Sequence, residues 1–287
     1  MQEQEGYIQK ISVEPQQADY TLARFAFLIS RKMPLELNGS EHFNHIRSYI
    51  DQGHPIVGIA NHTSMLDTLV MIRAIEFIAR KPLVEIGFPA SEKLFDGRMA
   101  KEGRVMKATA QLRKGLQFFR MWQAKDDLKP KGLGSGLTNS RAFKKLREIM
   151  SRSKPESVNF VGYYTEGGRS SDGTLQAGEP GIDLLFTKNQ KAVVVPFGFI
   201  GLNQIYDKKI HIDHLLSGQA KVIVGEPFTP QDAQQLASKY NIELQHAYML
   251  KIAALLPQRM WGWYHRYGDI IERMKERKSG IIYMPKR

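Results

Sequence analysis

The feature that most narrows the fold is a set of short apolar runs, free of charge, that stop abruptly at polar turns. They are Pro55-Ile56-Val57-Gly58-Ile59-Ala60, Val158 to Tyr163 and Ala192 to Phe199. Runs this short without polar alternation suit strands covered on both faces, the habit of parallel sheets. Shorter strand-like stretches stand at Leu35 to Leu37, Leu83 to Ile86 and Lys221 to Val224. Between them lie helical patterns: Glu41 to Gln52 behind a Ser40 cap and closed by Gly53, Ser64 to Arg80, Arg141 to Ser151, and a helix opened by Pro230 and capped by Thr229. Strand, turn and helix alternate, so the sequence predicts an α/β fold with a mixed, mostly parallel sheet flanked by helices.

No repeat or linker divides the chain, which predicts one domain over 34–287 with a basic, aromatic C-terminal tail from Trp261 onward. Residues 1–33 form a separate N-terminal helical segment. Leu22, Phe25, Ala26 and Ile29 recur there at helical spacing until Pro34 ends the pattern, a candidate surface for docking on a membrane. Ala90 to Gln123 mixes basic and apolar residues without a clear division, and Lys129 to Gly136 reads as an exposed loop.

The chain of 287 residues has no cysteine, which removes disulfides, thiol nucleophiles and thiolate metal sites together. Its net charge of +12 and pI near 9.7 call for partners bearing phosphate or carboxylate groups. No apolar stretch has the length of a membrane span, and the start, Met1-Gln2-Glu3-Gln4-Glu5, is acidic where a secretory signal is basic. A cytoplasmic protein is expected, attached peripherally to the cytosolic face of a membrane. Charge alone also fits a non-catalytic basic protein that binds nucleic acid or lipid.

Two constellations carry chemistry. The first, Asn61-His62-Thr63-Ser64-Met65-Leu66-Asp67, follows a buried strand, a common place for active sites in open α/β sheets. Side chains five positions apart on a helix diverge by about 140°, so His62 and Asp67 meet only if the histidine sits in the turn before the helix. A carboxylate on one ring nitrogen fixes the tautomer and lets the other nitrogen take a proton from a hydroxyl. The plainer reading is a capping box, Ser64-x-x-Asp67, beside an uninvolved histidine. The second constellation, Glu166-Gly167-Gly168-Arg169-Ser170, also follows a buried strand. Its glycines permit close backbone approach, and a guanidinium in such a turn grips phosphate with paired bonds. An ordinary glycine turn is the plainer alternative. Both His42-x-x-His45 and His211-x-x-His214 lack further ligands at zinc-site intervals, and no G-x-S-x-G elbow occurs.

In their order these blocks resemble the glycerol-3-phosphate and 1-acylglycerol-3-phosphate acyltransferase family. The likeness rests on H-x-x-x-x-D at His62 and Asp67, E-G-x-R-S at Glu166 to Ser170, and Val195-Pro196 after an apolar strand. It spans Pro55 to Phe199, although the sequence between the blocks is not recognisably similar. A further block, Gly115 to Met121, is similar to the family's G-x-x-F-I-x-R, with Met121 where arginine is usual and Arg120 as the substitute contact. The resemblance implies that His62 is a general base oriented by Asp67. It implies that Glu166, Gly167, Gly168, Arg169, Ser170 and Arg120 bind a phosphorylated lipid acceptor, and that Pro196 shapes the pocket. It also implies an acyl thioester donor, acyl-CoA or an acyl carrier protein, with no metal and no separate cofactor. Gly168 stands where the family carries threonine, which keeps another lipid or glycolipid hydroxyl open as acceptor.

The tract from Arg98 to Lys131 places Lys101, Arg104, Lys107, Arg113, Lys114 and Arg120 among Phe118, Phe119 and Trp122. That mixture suits an anionic membrane surface, an acyl carrier protein or the phosphates of CoA. Nucleic acid is not an expected partner, because binding it leaves the paired strand-end motifs without a role. Met260 to Tyr267 is a second aromatic and basic stretch, fit either for a headgroup layer or for a core with a wet edge.

Overall fold

The computed structural model describes residues 15–33, 35–95, 99–121, 133–187, 189, 191–205, 220–275 and 281–283. Expectations placed on Met1 to Glu5, Pro34, Arg98, 122–132, His211, His214, 276–280 and 284–287 lie outside them. The strands are β1 (Glu36–Asn38), β2 (Ile56–Ala60), β3 (Leu83–Ser91), β4 (Leu116–Met121), β5 (Val158–Tyr163), β6 (Val193–Ile200), β7 (Lys221–Val224) and β8 (Ile281–Tyr283). They form one sheet in the order β4-β3-β5-β2-β6-β7-β1-β8. The first five in that order run parallel, β7 runs antiparallel to β6, β1 parallel to β7, and β8 antiparallel to β1. The fold is α/β, with a mixed, mostly parallel sheet between helices.

Alternation along the strands explains the absence of charge. Ile56, Phe160 and Val195 enter one core with helices α1 (Gln17–Lys32), α2 (Phe43–Asp51) and α3 (Asp67–Ala79). Val57, Val161 and Val194 enter the other, where α5 (Leu133–Ser151), α7 (Pro230–Tyr240), α8 (Leu244–Ala253) and α9 (Gly268–Met274) pack. Two further helices are α4 (Ala100–Leu112) and the single-turn α6 (Leu202–Ile205). A charge on either face of β2 or β5 would be buried without water, which is prohibitive unless paired.

Several expectations change. The tract that resisted division contains the end of β3, then α4 and β4. α5 begins at Leu133, so Gly134 and Gly136 are helical rather than part of a loop. Each glycine costs the helix about 1 kcal/mol, which packing of its later turns through Phe143, Leu146 and Ile149 outweighs. On α1, Ala23 and Ala26 are buried against α4 and the sheet, while Phe25 is 40% and Leu28 52% exposed. The outward apolar pair is therefore Phe25 and Leu28. The helix is held by Arg73 of α3, which donates to the carbonyls of Ser30 and, at 3.1 Å, Met33, satisfying acceptors left open at a helix end. Trp261 and Tyr264 are core residues: the Trp261 indole donates to the carbonyls of Ala253 and Leu256. Of the two uses open to that aromatic stretch, these side chains serve the core.

Candidate active site

The register of β2 on β5 pairs Ile59 with Tyr163, so the residues three positions beyond each, His62 and Glu166, emerge side by side. Asn61 marks where β2 turns away from β6. Its side chain accepts from the Phe199 N–H at 2.7 Å and donates to the Phe199 carbonyl at 2.9 Å, continuing the pairing while the backbone bends. The bend points His62 away from the sheet.

Asp67 is the first residue of α3 and is fully buried. Its Oδ2 accepts from the backbone N–H of Thr63 at 2.6 Å and of Ser64 at 2.8 Å, and from His62 Nδ1 at 3.0 Å. Ser64 Oγ accepts from the Leu66 N–H at 3.2 Å. Asp67 Oδ2 thus ties the turn and the histidine together, and the capping box with an uninvolved histidine does not form: Leu66 flanks the helix without a side-chain cap, and the Asp67 N–H donates to the Ser64 carbonyl. The helix proper starts at Asp67 rather than Ser64, which lets the carboxylate reach back over the turn. Asp67 Oδ1 is buried with no hydrogen-bond partner among the described residues. Such a group costs about 1–3 kcal/mol, a cost usually tolerated only where function demands the arrangement.

An ionised carboxylate only accepts, so Nδ1 carries the proton and Nε2 the lone pair. The His62 ring lines a cavity of about 950 Å³ at the carboxyl ends of β3, β4 and β5. Leu69, Phe88, Met106 and Phe118 furnish apolar wall, and Gly167, Gly168 and Arg169 a polar margin. That size and lining suit a ligand with a long apolar body and a polar end. Thr68 and Tyr164 also line it, and the Tyr164 ring lies parallel to that of His62 at 4.0 Å. Burial first, then the Asp67 charge, push the Tyr164 phenol well above its ordinary range. It stays a neutral phenol.

Glu166 takes a different place from the one expected. Its side chain is 1% exposed, with Oε1 accepting from the His62 N–H at 2.8 Å and Oε2 from the Gln176 N–H at 2.7 Å. The carboxylate ties two loops together and does not line the cavity. A second tie runs from the Ser170 N–H to the His62 carbonyl at 2.7 Å. The Ser170 hydroxyl donates to Asp172 at 2.8 Å, so it belongs to its own turn. Gly167 has φ +66°, and a Cβ there would lie 2.5 Å from the Glu179 carboxyl carbon. Only glycine fits between that carboxylate and the turn.

Arg169 lines the cavity, and among the described residues no ion pair engages it. Two further expected residues stand elsewhere. Arg120 is half-buried on β4 opposite Ala90 and is not among the cavity-lining residues, whereas Met121 is. Strand alternation separates the two, so Arg120 does not replace an arginine at 121. Burial lowers its guanidinium only from a very high value, and it remains a cation. Pro196 is buried in mid-strand opposite Ile59, close to Gly225, and away from the cavity wall. Among the described residues no group of three or more His, Asp or Glu side chains is placed to hold a metal ion.

Sequence reading missed Tyr164, Thr68 and Glu179. The available signal was position: Tyr164 directly precedes the second motif and Thr68 directly follows Asp67. No family model matches the sequence, and no curated protein matches it.

Proposed function

We propose that this protein is an acyltransferase that moves a fatty acyl group from a thioester to a lipid hydroxyl, with lysophosphatidic acid or glycerol 3-phosphate ranked first as acceptor. The observation that carries this reading is the His62–Asp67 pair at 3.0 Å on the wall of a large, mainly apolar cavity whose margin bears Arg169. The acceptor hydroxyl gives its proton to Nε2 as its oxygen attacks the thioester carbonyl carbon. The tetrahedral adduct then breaks its carbon–sulfur bond, and the imidazolium returns the proton to the departing thiolate. Products are an ester and a free thiol, and the balance requires no oxidant or reductant. Asp67 stabilises the transient imidazolium, and the apolar wall holds the acyl chain. The donor is acyl-CoA or an acyl carrier protein.

Arg169→Ala tests the acceptor. KM for a phosphorylated acceptor is expected to rise by about 10–100-fold, the worth of a charge-assisted bond, with kcat little changed. A second acceptor class, a lipid or glycolipid hydroxyl without phosphate, is favoured by Glu179, whose carboxylate sits against Gly167 and lines the same cavity as Arg169. Steady-state kinetics with both acceptors decide, because the phosphate-free substrate should ignore the substitution.

Among the described residues no helix is long and apolar enough to cross a membrane. Peripheral attachment to an anionic, cytosolic membrane face is proposed through α1, where Phe25 and Leu28 project beside exposed Arg24 and Arg31. Insertion of two such side chains contributes a few kcal/mol, so Phe25→Ser with Leu28→Ser should weaken binding to anionic vesicles by about tenfold or more. Co-sedimentation that is unchanged in the double variant removes α1 as the anchor.

A further inference from the structure

We propose that Tyr164 is a positioning residue for His62, its ring fixing the tilt of the imidazole and favouring the protonated ring, with its hydroxyl serving only as an anchor. This rests on the acyl-transfer reading above. The hydrogen bond from Nδ1 to Asp67 fixes one edge of the ring but leaves it free to tilt about the line joining the two atoms. A parallel face at 4.0 Å and 13° removes that freedom. Tyr164 is itself held on both sides, by Phe88 at 6.1 Å and by a hydrogen bond of 3.2 Å between its hydroxyl and Thr68 Oγ1. Its place one residue past β5 makes the orientation a property of the sheet rather than of a loop.

The stack also bears on charge. A cation over an aromatic face is favoured by the ring quadrupole, so the imidazolium formed during proton transfer gains from Tyr164 as well as from Asp67. The charged groups around the ring are Asp67 at Nδ1, Glu166 on the backbone N–H, and Lys93, Arg147, Arg169 and Glu179 on the shared cavity. None of these is altered by changing Tyr164. The phenol itself is not an acid or base in the working range, because burial and the Asp67 charge keep it protonated.

The test compares Tyr164→Phe with Tyr164→Leu in the full chain. Phe keeps the stack and loses the hydroxyl, and turnover is expected within about threefold of wild type with the same pH profile. Leu removes the stack, and kcat should fall about 10–100-fold with KM little changed, the scale of a misplaced catalytic group. The acid limb of kcat/KM should also move to lower pH by about half a unit, the loss of one cation–π contact. An NMR titration of the His62 ring without substrates should show the same shift. Tyr164→Met, which fills the gap with a flexible apolar side chain, gives the same outcome if the Leu variant does not fold. The proposal is overturned if His62 titrates identically in wild type and in the Leu or Met variant, or if Phe loses as much activity as Leu. Should wild type transfer no acyl group, the acyl-transfer reading fails, while the NMR titration still decides whether Tyr164 sets the state of His62.

Discussion

Asp67→Asn should reduce turnover by about 10²–10⁴-fold, the range set by general-base catalysis, and lower stability at the same time. Oδ2 accepts three bonds, from Thr63, Ser64 and His62. If the Asn oxygen takes that place, the amide nitrogen lies where Oδ1 is buried without a partner, and no charge remains to stabilise the imidazolium. If the amide turns over, its N–H groups face two backbone N–H donors. Either arrangement costs about 1–3 kcal/mol; the first keeps the Nδ1–H tautomer but removes the charge behind it, and the second donates to Nδ1 and imposes the wrong tautomer. Denaturant midpoints read the first effect and kcat the second. Activity within tenfold of wild type would separate Asp67 from the chemistry.

Glu166→Ala should be among the most destabilising single changes in the chain. It strands the part-buried N–H groups of His62 and Gln176, each of which now donates to a carboxylate oxygen. At about 1–3 kcal/mol per stranded group, the loss is roughly 2–6 kcal/mol. Glu166→Gln keeps one acceptor and presents a donor to the other N–H, so it should fall between. Urea unfolding of the two variants gives the order. An Ala variant of unaltered stability, with only a raised KM for the acceptor, would return Glu166 to a ligand-binding role.

What the sequence revealed follows from how locally each feature is encoded. The uncharged runs at Pro55 to Ala60 and Val158 to Tyr163 identify doubly covered strands because a parallel sheet allows few alternatives there. His62 and Asp67 lie close enough in sequence for the turn alone to bring them together. Glu166 was legible as a site residue but not as a tie, because its partners are backbone groups brought near by the register of β2 on β5. Tyr164 was invisible for the same reason, since stacking on His62 is a contact across strands. Arg120 was assigned by its neighbour in a motif, and a shift of one position on a strand changes the face. α4 and β4 escaped because lysines and arginines, whose aliphatic stems cover apolar surface, blur the period of the pattern. β8, only Ile281 to Tyr283, depends on β1 across nearly the whole chain. Trp261 and Tyr264 show how little composition says about place: aromatic residues beside arginine suit a headgroup layer and a core with a wet edge alike, and these two fill the core.

The most direct measurement follows thiol and ester together. Wild type and His62→Gln are each given a long-chain acyl thioester with lysophosphatidic acid, glycerol 3-phosphate or a neutral lipid alcohol, and products are resolved by mass spectrometry. Wild type should release thiol and form ester in equal amounts with at least one acceptor, and the Gln variant should lose both by about 10²–10⁴-fold. Equal turnover by the two proteins, or thiol release that never yields an ester, would contradict proton transfer by His62 as the basis of function.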